Sequence, residues 1–477
     1  LDPETIQLLK EHEGSTGKKY TVIFPELSIL HLIKLCLQNC DKSGNTKEAN
    51  FPKKILFTIG KCLLITNSIL ADAQLQGSSS GVTFEKLVVN FTKQVIVDHN
   101  FEVFQKFYQT YFIFNLISKN TQIDLEAIFN RCYGISVKEY FAFCFAVLSQ
   151  FIIKGDEDED WKHPHLDATA LDNLQPQYSQ KLLDDLLMNN FNYKKIDLDF
   201  FNAFDITKRP LIRLGNGKIV VLSLKRLFLR LTDSVYFDIL DSLTESQEKS
   251  LFSQSYGNAI EIYFQEIIEI IDPQIIKPYK YSKPEKETPD AMLVAGGEGV
   301  FFECKKKQFH TLEFLKSGDK DMFYERIHEF YFVPLNQICE RINDFRNQLF
   351  SVLGLKNTAR IYPIVIYPLA PPIFSGGWDK LKLNEYVLPA MYESDKNIAL
   401  PEFIDITELE SIEEYLRLNP EKKFTDLIKI KREDVTNHNS NWMVILHKNG
   451  MALRNDRLLQ KYLQETKGFA EVLFKNS

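Results

Sequence analysis

The chain has 477 residues, 44% hydrophobic and 25% charged, a length for two or three domains with buried cores and a composition that excludes a disordered or low-complexity protein. Its net charge of −7 gives no overall attraction for nucleic acid, so contact with a polynucleotide has to be local or bridged by metal ions. Seven cysteines (Cys36, Cys40, Cys62, Cys132, Cys144, Cys304, Cys339) are odd in number, scattered and mostly set in apolar stretches, the pattern of reduced, buried thiols, so a reducing, cytoplasmic location is expected.

From Pro25 to Ile153 apolar residues recur at helical spacing, as in Leu27, Leu30, Ile33 and Leu37 and again in Phe101, Phe104, Phe107 and Phe112. This predicts a helical bundle domain over 1–153, with the aromatic stripes as core. Cys36 and Cys40 are spaced to share a helix face, but no second Cys/His pair completes a zinc set. The longest apolar stretch, Tyr140 to Ile153, falls short of the ~20 residues that cross a bilayer and reads as a core helix, so no membrane is expected as a partner. No basic start leading into an apolar run and a cleavage site is found; the first residue is Leu, so a segment ahead of it stays open.

A connector is expected over 154–245. It opens on the acidic run Gly155 to Asp160, a solvated break. His163-Pro164-His165-Leu166-Asp167 has metal-binding residue types, but Pro164 parts the histidines and nothing fixes their geometry, so a solvated loop is the reading. Residues 210–223 read as a hairpin around Gly215-Asn216-Gly217, and helix resumes from about Lys225 to Leu243. Gly217-Lys218 lacks the upstream glycine and the following Ser/Thr of a phosphate-binding loop, which argues against a nucleotide-driven motor.

The informative stretch is Thr288-Pro289-Asp290, then two β-type runs, 290–295 and 299–305, around Gly296-Gly297, ending Glu303-Cys304-Lys305. A two-residue loop puts Asp290 directly opposite Glu303, with Cβ atoms about 4.5–5.5 Å apart, close enough to share a cation. A four-residue loop over 296–299 instead puts Asp290 opposite Lys305 and diagonal to Glu303. Either way all three share one face, while Cys304, Val300 and Phe302 point to the other, toward the core. A thiol nucleophile wants a histidine on its own face, and none can be placed, so Cys304 is not read as catalytic. Adjacent carboxylates repel each other, a cost that a divalent metal removes; the bland alternative is a solvated hairpin face with a chance salt bridge.

The surroundings add weight. Lys249 to Ile271 is strongly helical, with Gly257 and Glu261 four apart on one face, so that the glycine permits close approach to a sheet while the acid reaches the site. A strand-like run, Ile275 to Tyr281, precedes the hairpin. After it Pro334 begins a helix running to Leu353 with Gly354 at its end, and Ile361 to Tyr367 is a further strand. Phe403 to Ile406 leads into Thr407-Glu408-Leu409-Glu410, a capping box for a helix through about Leu416; Asp405 reads as structural. Beyond lie a strand-like Trp442 to His447, an Asn449-Gly450 turn and a closing helix.

The order helix, three strands, helix, strand, with Pro289-Asp290, a spacer of twelve and Glu303-x-Lys305, resembles the PD-(D/E)xK, or restriction-endonuclease-like, nuclease superfamily over about a third of the chain. The expected class is therefore α+β or α/β: a helical N-terminal region plus a restriction-endonuclease-like αβββαβ core with a central mixed sheet over 246–418, then a small C-terminal α/β extension over 419–477. The resemblance implies that Asp290 and Glu303 bind Mg²⁺ (or Mn²⁺), that Lys305 orients or stabilises the attacking hydroxide, and that Glu261 assists the metal, with Glu266 and Glu269 as rivals. It also implies a glutamine on the following helix, for which Gln337 is the match. Lys306 and Lys307 extend the basic strand end and suit a grip on backbone phosphate, or simply a solvated edge.

The expected activity is metal-dependent endonucleolytic hydrolysis of nucleic acid, DNA ahead of RNA. The helical N-terminal region would serve as sensor, partner-docking surface or contact between copies of the chain. Such architectures resemble bacterial restriction and antiphage defence proteins. The rival is a non-catalytic interaction or nucleic-acid-binding protein that keeps a nuclease-like fold. The intact acids and lysine speak against it, and 12 Lys and Arg against 17 Asp and Glu between Ser246 and Phe345 speak mildly for it.

Overall fold

The computed structural model describes residues 26–39, 62, 103–119, 123–153, 165–166, 176–190, 195–196, 204–214, 217–282, 285–305, 320–368, 395–433, 442–450 and 456–473. The chain divides into two compact units, one of Leu1–Asn100, Phe143–Ser234 and Leu312–Lys320, the other of Phe101–Ala142, Val235–Thr311 and Asp321–Ser477. This differs from the linear division the sequence suggests. Part of the expected N-terminal bundle, and the whole C-terminal stretch expected as a separate extension, belong to the unit that holds the Asp290 hairpin.

In chain order the elements are α1 (Glu26–Asn39), α2 (Val103–Ser118), α3 (Leu125–Tyr133), α4 (Val137–Ile153), β1 (His165–Leu166), α5 (Pro176–Leu186), α6 (Phe204–Lys208), β2 (Leu211–Arg213), β3 (Ile219–Val221), α7 (Leu224–Leu231), α8 (Ser234–Ser242) and α9 (Ser246–Ile271). They continue with β4 (Ala291–Ala295), β5 (Glu298–Cys304), α10 (Lys320–Ile327), a π-helical turn (His328–Phe332), α11 (Val333–Arg346), β6 (Ile361–Tyr367), β7 (Glu402–Asp405), α12 (Ile406–Leu418), α13 (Phe424–Glu433), α14 (Trp442–Lys448) and α15 (Asp456–Leu473). No single helix among the described residues is long and apolar enough to cross a membrane. The apolar stretch from Tyr140 lies within α4, with Phe141, Cys144, Val147 and Leu148 fully buried.

In the first unit the predicted hairpin forms as β2 and β3, and β1 joins it as an antiparallel edge strand. His165 therefore belongs to a ladder and not to a solvated loop; His163 and the acidic run lie outside the described residues. Lys218 sits in the hairpin turn, its carbonyl accepting the Leu214 N–H. The predicted helix from Lys225 breaks at Thr232, whose hydroxyl turns back onto the Phe228 carbonyl at 2.9 Å. Of the cysteines, Cys144, Cys304 and Cys339 are buried, but Cys36 on α1 is exposed; Cys40 is outside the described residues.

The second unit is a mixed α and β assembly around a four-stranded mixed sheet of order β4-β5-β6-β7, with β4 antiparallel to β5 and the other neighbours parallel. Every residue of β6 is buried, as its unbroken apolar run requires of a strand covered on both faces. Phe302 of β5 meets Phe264 of α9 and Phe424 of α13, while its neighbour Phe301 meets Phe345 of α11. Adjacent strand residues point to opposite faces, so α9 and α11 cover opposite sides of the sheet. α9 reaches it at Phe264; Gly257, expected to permit that approach, lies about two turns earlier beside Tyr256, which meets Phe114 of α2. The aromatic stripe of α2 is core, as the spacing predicts, with Phe107 and Phe112 buried.

Four local expectations are corrected. The run from Ile275 to Tyr281 forms no regular strand and touches its neighbours through isolated bridges, Ile276 to Met292 and Lys280 to Glu287. α11 ends at Arg346, because Gln348 adopts a positive φ of 61° and Leu349 N–H returns to the Asp344 carbonyl; Gly354 lies in a later turn. The capping box sits two residues before its expected place, with Asp405 accepting from Glu408 N–H and Glu408 reaching back to the Asp405 N–H. Trp442 to His447 is helical, since Trp442, Ile445 and Leu446 are all fully buried, the i, i+3, i+4 pattern of a helix face.

Gly296 and Gly297 have φ of 60° and 81°, the pattern of a type I′ turn in which both central residues are left-handed. Gly297→Val should lower the unfolding free energy by about 1–3 kcal/mol, because a β-branched residue is strained there. Gly296→Asn should change it by less than about 0.5 kcal/mol, asparagine being favoured in this turn. Denaturant midpoints of the two variants check this, and equal effects would contradict the turn.

Candidate active site

The type I′ turn sets the register Ala295 to Glu298 through Ala291 to Phe302. Asp290 immediately precedes β4 and Glu303 follows Phe302, so the two-residue loop is realised and the pairing carries the carboxylates to one end of the hairpin. Asp290 is fixed at both of its polar ends. Its Oδ2 accepts the Cys304 N–H at 2.7 Å, and its backbone carbonyl accepts the Gln265 amide of α9 at 3.0 Å.

Glu303 shares the face of Phe301, the α11 side of the sheet, and Lys305 continues the same alternation, its N–H bonded to the Ile366 carbonyl at 2.8 Å. The Lys305 ammonium lies 3.9 Å from Glu303 Oε1 and donates to Gln337 Oε1 of α11. Cys304 is buried with Val300 and Phe302 on the opposite face, in keeping with a packing role.

The expected site residues Asp290, Glu303, Lys305 and Gln337 are thus brought together. Glu261 approaches from α9, half-buried, its Oε1 accepting from Gln265 at 3.4 Å. Its rivals are exposed on that helix, and Glu269 pairs with Lys277 at 3.0 Å. Lys306 and Lys307 lie outside the described residues. Sequence reasoning missed Gln265 and Arg341. Both lie four residues after an expected site residue on the same helix, Glu261 and Gln337 respectively, and that spacing was the available signal. It also missed Tyr367 of β6, near enough to Glu303 to interact with it electrostatically: its ring stacks on Phe330 at 4.1 Å and its hydroxyl donates to the Phe330 carbonyl at 2.6 Å. Pro334 explains that bond, since it has no N–H to give the carbonyl four residues before it.

Burial, and next the Asp290 carboxylate, push Glu303 up to about 8; Lys305 and Arg341 pull against this and Glu261 adds to it. An acid so disfavoured in its charged form is a position where a cation is stabilising. Among the described residues no three His, Cys, Asp or Glu side chains form a ready-made metal cage. A hard cation such as Mg²⁺ is nevertheless held by one or two carboxylates completed by water and substrate phosphate. Asp290 and Glu303 fit that requirement, with oxygen donors only and no soft ligand that would favour Zn²⁺.

One consequence is measurable in metal-free protein. With its folded value raised from 4.5 to about 8, Glu303 holds its proton in the folded state, so its contribution to stability falls as pH rises through that window and is fully lost above it. Glu303→Gln should therefore melt at increasingly higher temperature than the wild-type chain as pH goes from 5 to 8 in a chelator. A difference independent of pH would refute it. No protein-family model, curated protein or solved structure matches this chain, so the chemistry of the site has to be read from its own side chains.

Proposed function

We propose that this chain is a metal-dependent nuclease with a restriction-endonuclease-like core, hydrolysing phosphodiester bonds in nucleic acid, DNA ahead of RNA. The observation that carries the reading is the meeting of Asp290, Glu303 and Lys305 at one hairpin end, flanked by Glu261 and Gln337 from helices on opposite faces of the sheet. Asp290 and Glu303 would hold Mg²⁺ or Mn²⁺, with Glu261 beside them. The bound cation would supply charge neutralisation at the phosphate and acidification of a water.

The chain's own contribution follows from its contacts. Lys305 keeps its ammonium beside Glu303 because Gln337 accepts one of its protons, leaving it aimed to orient a nucleophilic water and to stabilise charge developing on the phosphate oxygens. Arg341, near enough to act on Glu303 electrostatically, adds a second positive group on the α11 side, useful in a region whose overall balance is acidic. By analogy of architecture we extend the reading to an effector of restriction or antiphage defence in the cytoplasm. The acidic balance between Ser246 and Phe345 favours a second reading, a non-catalytic binding role.

Plasmid, single-stranded DNA and RNA incubated with Mg²⁺ or Mn²⁺ distinguish the two. Asp290→Ala and Glu303→Ala should each remove at least ~10²-fold of the rate, the scale of lost metal activation. Lys305→Ala should lose cleavage yet keep metal binding close to the wild-type level. Absence of cleavage by the wild-type chain on all three polymers, or full activity in the Asp290→Ala/Glu303→Ala double variant, overturns the nuclease reading.

A further inference from the structure

Gln265 sits on α9 one turn after Glu261 and is half-buried. Its amide nitrogen faces two acceptors, the Asp290 carbonyl at 3.0 Å and Glu261 Oε1 at 3.4 Å. Both neighbours are oxygens that only accept, which settles which end of the amide points at them. The residue it grips through the backbone is the one whose carboxylate is held from the other side by the Cys304 N–H. One side chain therefore joins the helix acid to the hairpin acid.

We infer that Gln265 is a positioning residue that locks Asp290 and Glu261 into one arrangement for a shared divalent cation, an inference that rests on the metal-dependent reading above. The physical argument is one of preorganisation. Asp290 lies just outside the β4 ladder, where no strand pairing fixes its backbone, and Glu261 is a long side chain with several rotamers. Without the amide, Asp290 keeps the Cys304 bond but loses this tie to α9, and Glu261 loses a donor that restricts its rotamers. Two carboxylates then have to be ordered when the ion binds. Partners of metal ligands that act in this way typically change affinity by about 10–100-fold when removed.

The test uses the full chain and Mn²⁺ alone, followed by electron paramagnetic resonance without substrate, so that it does not depend on turnover. Gln265→Met keeps the length of the side chain and removes both donors; Gln265→Ala removes the side chain at a helical position that favours alanine. Each should weaken Mn²⁺ binding about 10–100-fold with a melting temperature close to wild type in a chelator. Glu269→Gln, exposed two turns beyond Glu261 and outside the site, should bind within about twofold of wild type. If the wild-type chain binds Mn²⁺, Asp290→Ala loses it and both Gln265 variants bind as tightly as wild type, the positioning role is wrong while the metal reading stands. If wild type binds no Mn²⁺, both fall. Failure of both Gln265 variants to fold would also overturn the inference, since a positioning role leaves the fold intact.

Discussion

Gly296 and Gly297 adopt left-handed backbone in succession, and this two-residue turn governs how β4 pairs with β5. Strand side chains alternate between faces, so a slip of one residue would send Glu303 to the α9 face and Cys304 to the site. It would also bury a carboxylate among Phe264 and Phe424, the rings that now enclose Phe302. Register is thus protected twice, by the turn and by the penalty for burying charge without a partner. Asp290, Glu303 and Lys305 share one hairpin end because this pairing leaves them nowhere else to go.

The helices convert that pairing into a site. α9 brings Glu261 and Gln265, and α11 brings Gln337 and Arg341, each pair spaced by one turn. The segment between α9 and β4 is itself tied to α11, where Asp344 accepts from both Tyr281 and Lys286. The helix that supports Lys305 therefore also anchors the approach to Asp290. This arrangement buries Glu303 and sets it against the Asp290 carboxylate, and burial first and the neighbouring charge second explain why Glu303 resists ionisation.

A second set of buried charges has a different character. On α12, Glu410 accepts from Tyr263 of α9 and from Gln105 of α2, while Glu413 receives a two-bonded fork from Arg457 of α15. Glu402 of β7 is likewise enclosed by Lys431 and Arg432 of α13. Glu413 and Glu402 are matched by cationic partners, whereas Glu410 is bonded by neutral donors and burial pushes it up to about 7; all of these contacts tie the helices together. Removing one member of such a buried pair typically costs about 3–5 kcal/mol, which makes the C-terminal helices integral to the unit that carries the site.

The local geometry was legible in the sequence because it depends on neighbours in the chain. The glycine pair implied the turn, alternation put Asp290, Glu303 and Lys305 on one face, and the apolar run from Ile361 announced a strand. Helix spacing brought Glu261 into consideration and the family resemblance brought Gln337, but only docking against the sheet could separate Glu261 from Glu266 and Glu269, since rotation of a helix about its axis is set by what it packs on. Gln265 shares a helix face with Glu261 by its spacing, but its contact stayed hidden for the same reason: its partner, the Asp290 carbonyl, belongs to another element. The failures at Ile275 to Tyr281 and at Trp442 to His447 have one cause. Short apolar runs suit either a strand or a helix, and the tertiary structure decided: the first run gained only isolated bridges beside β4, while the second found a helical groove for Trp442, Ile445 and Leu446. The division of the chain was also decided in three dimensions, because α2 and the C-terminal helices supply the buried partners that α9 and α12 need, and no local pattern records which distant segment will fill a core.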